Sequence, residues 1–140
     1  MEIPYTAAAV GAVLLILQLV LMMSTGIHRG KTLIGVGVGD DKDLERKMRR
    51  HGNLAENAAI FVVVLALTEG IVGGGAVVVA FGALFLVARL SHAMAFTSLA
   101  GSHGVDGAPK LYPRLRLVGA LGTSLCGMGL SLYLLFNLLA

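Results

Sequence analysis

Four long apolar stretches, separated by polar or glycine-rich connections, dominate the pattern of hydrophobic and polar positions along the chain. A helix needs about 20 apolar residues to cross the hydrocarbon core of a membrane, and each stretch is long enough. We therefore predict an all-α, integral-membrane four-helix bundle that forms one domain over residues 1–140. The predicted spans cover residues of about 3–28, 43–70, 76–99 and 111–139.

The start of the second span is the most polar part of the chain, and it runs without a turn signal into an apolar segment. Each residue of a helix advances by about 100° around the axis. Relative to Arg46, the side chains of Arg49, Asn53 and Glu56 therefore lie at about 300°, 340° and 280°, respectively. All four share one face, and Glu56 is carried towards hydrocarbon. A charge there costs free energy unless it has a partner or a function.

Composition supports a membrane protein, because 56% of the residues are hydrophobic and only 14% are charged. A soluble domain has about a quarter charged residues. The net charge of +3 comes without a basic, aromatic-interleaved surface, so we expect no nucleic-acid partner. The single Cys126 and the scattered histidines give no metal-binding pattern, so no metal is expected.

Basic residues are distributed unevenly between the connections. Of the eleven Lys and Arg residues, seven lie between Arg29 and Arg50 and three between Lys110 and Arg116. By the positive-inside rule the first and third connections are cytoplasmic and both termini lie outside. The first apolar run is too long for a signal peptide. A compact chain without a targeting signal is typical of prokaryotes, so we expect the bacterial inner membrane and contact with its lipids.

The third span adds two polar residues, Arg89 and His92, on one face near the same side of the membrane. Several cations around one carboxylate suit a small anionic ligand that also carries an amine, because arginine clamps carboxylates and Glu56 would hold the amine. A groove between helices would admit an apolar second substrate from lipid. A structural alternative stays open, in which Arg49 and Glu56 pair with each other or with Arg89.

The spacing Arg46-x-x-Arg49-x-x-x-Asn53-x-x-Glu56 at the start of a second membrane helix resembles the signature of the MAPEG family. This family comprises membrane-associated proteins of eicosanoid and glutathione metabolism, including microsomal glutathione transferases. The chain is also similar to the family in its length, in its four predicted spans and in Ala88-Arg89-Leu90 within the third span. The resemblance implies a homotrimer that binds glutathione, as co-substrate, in a U-shape between neighbouring subunits near the cytoplasmic side.

The resemblance also implies roles for individual residues. Arg49, Asn53 and Glu56 match positions that contact glutathione, and Arg46 matches the first arginine of the signature. His28 and Arg29 fall where the family often has basic residues that reach the glutathione carboxylates. The whole set predicted to bind glutathione is His28, Arg29, Arg46, Arg49, Asn53, Glu56, Asn57 and Arg89.

The catalytic half of the family pattern is less well kept. Where members often have tyrosines on the third helix, this chain has His92 and Phe96, and His103 stands where some members have an arginine. A free thiol has a pKa of about 8.5, so a nearby cation raises its thiolate fraction at neutral pH. A histidine can also transfer protons near neutrality. We predict that Arg49, His92 and His103 are catalytic.

Three functions are compatible with these features. The first is a membrane-bound glutathione-dependent transferase or peroxidase that acts on hydrophobic electrophiles or lipid hydroperoxides by arginine-stabilised thiolate attack. The second is an inactive protein of the same fold that binds lipid or serves as a scaffold. The third is a small proton-coupled transporter that uses Glu56, although the flanking arginines disfavour an apolar proton pathway.

Overall fold

Five helices make up the fold in the computed structural model, which describes residues 3–103 and 109–140 and, for His103, only the backbone. They are α1 (Tyr5–Thr32), α2 (Lys42–Val72), α3 (Ala76–Ala95), α4 (Leu99–His103) and α5 (Leu111–Leu139). The four helices other than α4 are long and apolar enough to cross a membrane. The predicted all-α bundle with four spans is therefore confirmed for the described residues.

Local capping decides where α2 begins and ends. The side chain of Asp41 accepts hydrogen bonds from the backbone N–H groups of Asp43 and Leu44, both at 2.9 Å. These N–H groups have no partner within the helix, so the cap satisfies donors that would otherwise be lost. At the other end Gly73 adopts a φ of 83°, which favours glycine, and donates to the Glu69 carbonyl at 2.9 Å.

The third span is shorter than predicted, because α3 ends at Ala95 instead of continuing to residue 99. The hydroxyl of Thr97 donates to the Met94 carbonyl at 2.8 Å, and the hydroxyl of Ser98 accepts from the N–H of Gly101 at 3.1 Å. Serine and threonine side chains compete with the helical hydrogen bonds in this way. Ser98 thus starts the separate short helix α4.

Packing is closest between α3 and α5 and between α1 and α2, while α2 also contacts α3 and α5. A Cβ at Gly119 would lie 2.8 Å from the backbone N and Cα of His92, and one at Gly122 would lie 2.9 Å from Ala88 Cβ. Glycine therefore lets α5 approach α3 closely, as small residues do between membrane helices. Phe61 and Phe85 stack in the core, with ring centroids 3.6 Å apart.

The outer surface of the bundle is apolar along all four long helices. Ile16 is 64% exposed and Leu125 is 69% exposed, and many other large aliphatic side chains are as open. Lipid tails are as apolar as leucine, so such a surface is stable in a bilayer. The chain is an integral, multi-pass membrane protein.

Candidate functional site

An exposed stripe along α2, formed by Arg49, Asn53 and Glu56 and called here the α2 stripe, is the strongest candidate for a ligand site. Arg49 and Glu56 are exposed and Asn53 is half-buried. Among the described residues, the Arg49 guanidinium and the Glu56 carboxylate have no hydrogen-bond or ion-pair partner. The same face continues into exposed Ile60 and Val63. Unpaired charges beside an apolar face need a partner from outside the chain.

Arg46, the first arginine of the spacing, is turned away from the α2 stripe and is only 8% exposed. Its Nε and Nη2 atoms donate to Asp43 Oδ1 at 2.9 and 2.6 Å, and Nη1 donates to the Phe96 carbonyl. The carbonyl groups at the end of a helix lack helical partners, so this contact satisfies one of them. Arg46 therefore ties α2 to the end of α3, and its role as a glutathione ligand stays a prediction.

Arg89 joins three helices from a buried position on α3, where it is 3% exposed. Its Nη1 donates to the Asn53 carbonyl at 3.0 Å and its Nη2 to the Gly119 carbonyl at 3.4 Å. Its Nε is buried without a partner among the described residues. Arg89 thus meets the backbone of α2 at Asn53, and its role as a glutathione ligand stays a prediction. In the structural alternative, Arg49 and Glu56 pair with each other or with Arg89. Among the described residues neither pairing is present, because Arg89 donates to two carbonyls and Arg49 and Glu56 form no ion pair.

Asn57 lies on α2 one turn after Asn53, and His92 lies on α3 against Gly119 of α5. Asn57 Nδ2 donates to the Asn53 carbonyl at 2.9 Å, and its side chain lines a 160 Å³ cavity between α2 and α5. The His92 ring is 9% exposed and stacks on Phe96, with centroids 5.0 Å apart. The Arg116 guanidinium lies 5.1 Å from the Phe96 ring centroid on the same aromatic pair. His92 and Arg116 therefore lie on the same aromatic ring, a proximity that the sequence analysis did not predict.

The end of α1 is bound to the start of α2 through His28. Its Nε2 lies 2.7 Å from Asp41 Oδ2, and its Nδ1 lies 2.7 Å from the Nζ of Lys47. An ammonium can only donate, so Nδ1 must accept and Nε2–H donates to Asp41. This hydrogen bond, together with the one from the Leu44 N–H, holds the pKa of Asp41 below its usual value.

Arg29 stabilises the connection that follows α1. Its Nη1 donates to the carbonyls of Ile34 and Gly35 at 2.8 and 3.1 Å, and its Nη2 lies 2.9 Å from Met48 Sδ. His28 and Arg29 are therefore both bonded within the chain. A ligand that recruits Arg29 must replace these contacts, and its role as a ligand stays a prediction.

Two further polar residues on α2, which the sequence analysis did not assign to the site, connect helices. Arg50 Nε donates to the Ala93 carbonyl at 2.7 Å. Glu69 is 2% exposed, and its oxygens accept from the N–H groups of Thr6 and Ala7, both at 2.8 Å. The carboxylate caps α1 from another helix. In the sequence, the sign of this role for Glu69 is that a carboxylate stands at the C-terminal end of the apolar second span.

His103 is the last residue of α4, and its side chain lies outside the described part of the chain together with residues 104–108. Its predicted catalytic role therefore stays a prediction. In the described ranges, no group of three or more His, Cys, Asp or Glu side chains is arranged to hold a metal ion.

Similarity to a known protein family extends over nearly the whole chain. The sequence model of the MAPEG family matches residues 7–136, which contain the α2 stripe and nearly all of the four long helices. No curated protein matches the sequence.

Proposed function

This chain belongs to the MAPEG family, and on that premise we propose that it is a membrane-bound glutathione-dependent transferase or peroxidase. Family membership supports an enzyme of membrane glutathione metabolism in general terms. The acceptors we propose are hydrophobic electrophiles or lipid hydroperoxides that enter from the bilayer. The cytoplasmic side of a bacterial inner membrane is the proposed location of the glutathione site.

The observation that carries the proposal is the pair of free charges on the α2 stripe. Arg49 and Glu56 are exposed and have no partner among the described residues. Glutathione presents both carboxylates and an amine, so a guanidinium and a carboxylate seven residues apart on one helix face are complementary to it. Arg49 clamps a carboxylate, Glu56 receives the amine, and Asn53 lies between them.

Chemistry requires the thiolate of glutathione, whose sulfur attacks the electrophilic centre while the leaving group departs. Arg49 supplies a cation that favours the thiolate over the thiol. His92 and His103 are the proposed proton-transfer groups. His92 is held by its stacking on Phe96, and Arg116 lies on the same ring. Arg89 positions the backbone of Asn53 from the opposite side.

A homotrimer is the proposed assembly, because the α2 stripe is open on the single chain. Exposed charges in a membrane-spanning helix are costly in lipid. A neighbouring subunit would cover Arg49 and Glu56 together with the apolar continuation at Ile60 and Val63. Glutathione would then bind between subunits, and His28, Arg29 or Arg46 of the neighbour could complete the site after exchanging their present contacts.

The test is calorimetric titration of glutathione into the purified full-length protein and its variants. Removing one charged hydrogen bond costs about 1.5–3 kcal/mol, so Arg49→Ala and Glu56→Gln should each weaken binding by about tenfold or more. Glu45→Gln makes the same chemical change on an exposed carboxylate beside Lys42, outside the α2 stripe, and should bind normally.

Turnover is measured separately with a generic aryl halide, and the thiolate is followed by its absorbance. Conjugation that disappears in Arg49→Ala supports the transferase. Glutathione binding without turnover would identify an inactive family member instead. Absence of glutathione binding by the wild-type protein, or unchanged binding by Glu56→Gln, would contradict the proposed site.

A further inference from the structure

A groove of 430 Å³ lies at the end of the bundle where α1 finishes and α2 begins. Towards the α1–α2 connection it is lined by the basic side chains of His28, Lys31 and Lys47. Towards the membrane centre it is lined by apolar side chains that are each more than half exposed, those of Val20, Met23 and Ile27. A groove that is cationic at the membrane edge and apolar below it fits an amphiphile with an anionic headgroup.

Two ammonium groups of this groove can still donate hydrogen bonds. Lys31 is exposed and has no hydrogen-bond or ion-pair partner among the described residues. The Lys47 ammonium uses two of its three N–H donors, on Asp43 Oδ2 and His28 Nδ1, both at 2.7 Å. Its side chain is 21% exposed, so the third N–H is open to a ligand. Asp43 also accepts from Arg46, so this carboxylate does not cancel the positive charge of the groove.

The hydroxyl of Ser24 supplies a donor deeper in the groove. Ser24 is half-buried, and its Oγ has no hydrogen-bond partner in the part of the chain that the structure describes. The hydroxyl of the neighbouring Thr25, by contrast, donates to the Leu21 carbonyl at 3.1 Å. Ser24 lies four residues before His28, which is about 6 Å along the helix axis. In a glycerophospholipid, the glycerol separates the phosphate from the ester carbonyls by a similar length.

We propose that this groove binds an anionic glycerophospholipid of the surrounding leaflet, which the positive-inside rule assigns to the cytoplasmic side. The phosphate accepts from Lys31 and Lys47, an ester carbonyl accepts from the Ser24 hydroxyl, and an acyl chain lies along the apolar part of the groove. A headgroup with a choline or ethanolamine would bring a further cation towards two ammonium groups, so an anionic headgroup is favoured. The bound lipid takes no part in the proposed reaction.

The headgroup is tested by native mass spectrometry of the full-length protein in detergent with equal amounts of phosphatidylglycerol and phosphatidylcholine of the same chains. The wild-type protein should retain phosphatidylglycerol about tenfold more tightly, and Lys31→Gln should reduce this preference by about fivefold. Lys110→Gln removes the same charge from an exposed position before α5 and is the matched control, with the wild-type preference expected.

The ester contact is tested with a diether phosphatidylglycerol, which keeps the phosphate and the chains but lacks both ester carbonyls. The wild-type protein should bind the diester about fivefold more tightly than the diether, which corresponds to one hydrogen bond. Ser24→Ala should bind the two lipids equally. Ser124→Ala removes a hydroxyl that donates to the Ala120 carbonyl of α5 and should keep the wild-type difference.

Four results would overturn the inference. Equal retention of the two headgroups by the wild type would exclude an anionic site. An equal loss of preference in Lys31→Gln and Lys110→Gln would assign it to the general positive charge of this membrane side. A diester preference that survives in Ser24→Ala would remove the serine contact. Displacement of phosphatidylglycerol by glutathione would make the groove part of a glutathione site instead.

Discussion

Replacing Glu69 by glutamine tests whether a carboxylate on α2 holds the start of α1. Glu69 is 2% exposed and accepts two backbone hydrogen bonds of 2.8 Å, from Thr6 and Ala7. Glutamine keeps one acceptor oxygen but turns an NH₂ group towards the other N–H. The change also removes a negative charge from the N-terminus of α1, where it is favourable.

The magnitude follows from these contacts. One backbone N–H is left without a partner in a buried position, at a cost of about 1–3 kcal/mol. Loss of the charge at the helix terminus adds about 0.3–1 kcal/mol. We therefore expect Glu69→Gln to lower the free energy of unfolding by about 1–4 kcal/mol.

The assay is unfolding of the purified protein in mixed detergent micelles with increasing dodecyl sulfate, followed by circular dichroism. Glu45→Gln is the matched control, since it also removes a negative charge from the first turn of a helix, and Glu45 Oε2 lies 3.3 Å from Lys42 Nζ in an exposed pair that contributes at most about 0.5 kcal/mol. The control should therefore cost less than Glu69→Gln. If Glu69→Gln and Glu45→Gln unfold at the same point, the reasoning that Glu69 caps α1 is refuted.

Three further predictions concern packing, acid stability and an interhelical tie. Gly119→Ala should destabilise the fold by about 1–3 kcal/mol because its Cβ meets the His92 backbone, whereas Gly127→Ala has open space and should unfold like the wild type. The pKa of Asp41 is lowered, so its carboxylate stabilises the folded state fully above pH 3.8 and loses this effect as the pH falls through the lowered pKa. Thermal unfolding between pH 5 and pH 3 should therefore show a smaller loss of stability in Asp41→Asn than in the wild type. Arg46→Ala leaves the Phe96 carbonyl without its side-chain donor and removes both Arg46 hydrogen bonds to Asp43 Oδ1, while Lys47 still holds Oδ2 at 2.7 Å, and it should cost about 2–3 kcal/mol. An unchanged unfolding midpoint would contradict the tie.

Hydropathy was sufficient to predict the four spans, because a membrane helix needs a long apolar run whatever it packs against. It failed at the end of the third span, where Thr97 and Ser98 replace helical hydrogen bonds with side-chain ones. Such competition depends on local geometry more than on polarity. The separate helix α4 was therefore missed.

The helical period correctly grouped Arg49, Asn53 and Glu56 but could not separate them from Arg46. The angle of a residue about the helix axis gives the direction in which its side chain leaves the helix. It does not say which other part of the protein lies in that direction. The Arg46 guanidinium donates to the Phe96 carbonyl at the end of α3. The Arg49 guanidinium has no hydrogen-bond or ion-pair partner among the described residues. The exposed half of the polar segment therefore became distinguishable from Arg46 only once the packing was known.

Glu69 and Arg116 show a second limit of sequence reasoning. Glu69 binds backbone N–H groups and Arg116 lies over an aromatic ring, and within residues 3–102 and 109–140 neither is paired with an oppositely charged side chain that a charge pattern could reveal. A charged side chain that binds a backbone group or an aromatic ring needs no oppositely charged residue, so the sequence contains no second charge that would point to the contact.

The Asn53 carbonyl is shared, since both Asn57 Nδ2 and Arg89 Nη1 donate to it. Arg89 in turn holds the Gly119 carbonyl of α5, so the backbone beneath the α2 stripe is fixed by three helices. Ordering of a binding surface is one of the main entropic costs of association. Here the backbone is ordered before any ligand arrives, and only the side chains of Arg49 and Glu56 have freedom left to lose. In the proposed glutathione site, Arg89 would thereby favour binding through the Asn53 backbone without a contact to the ligand.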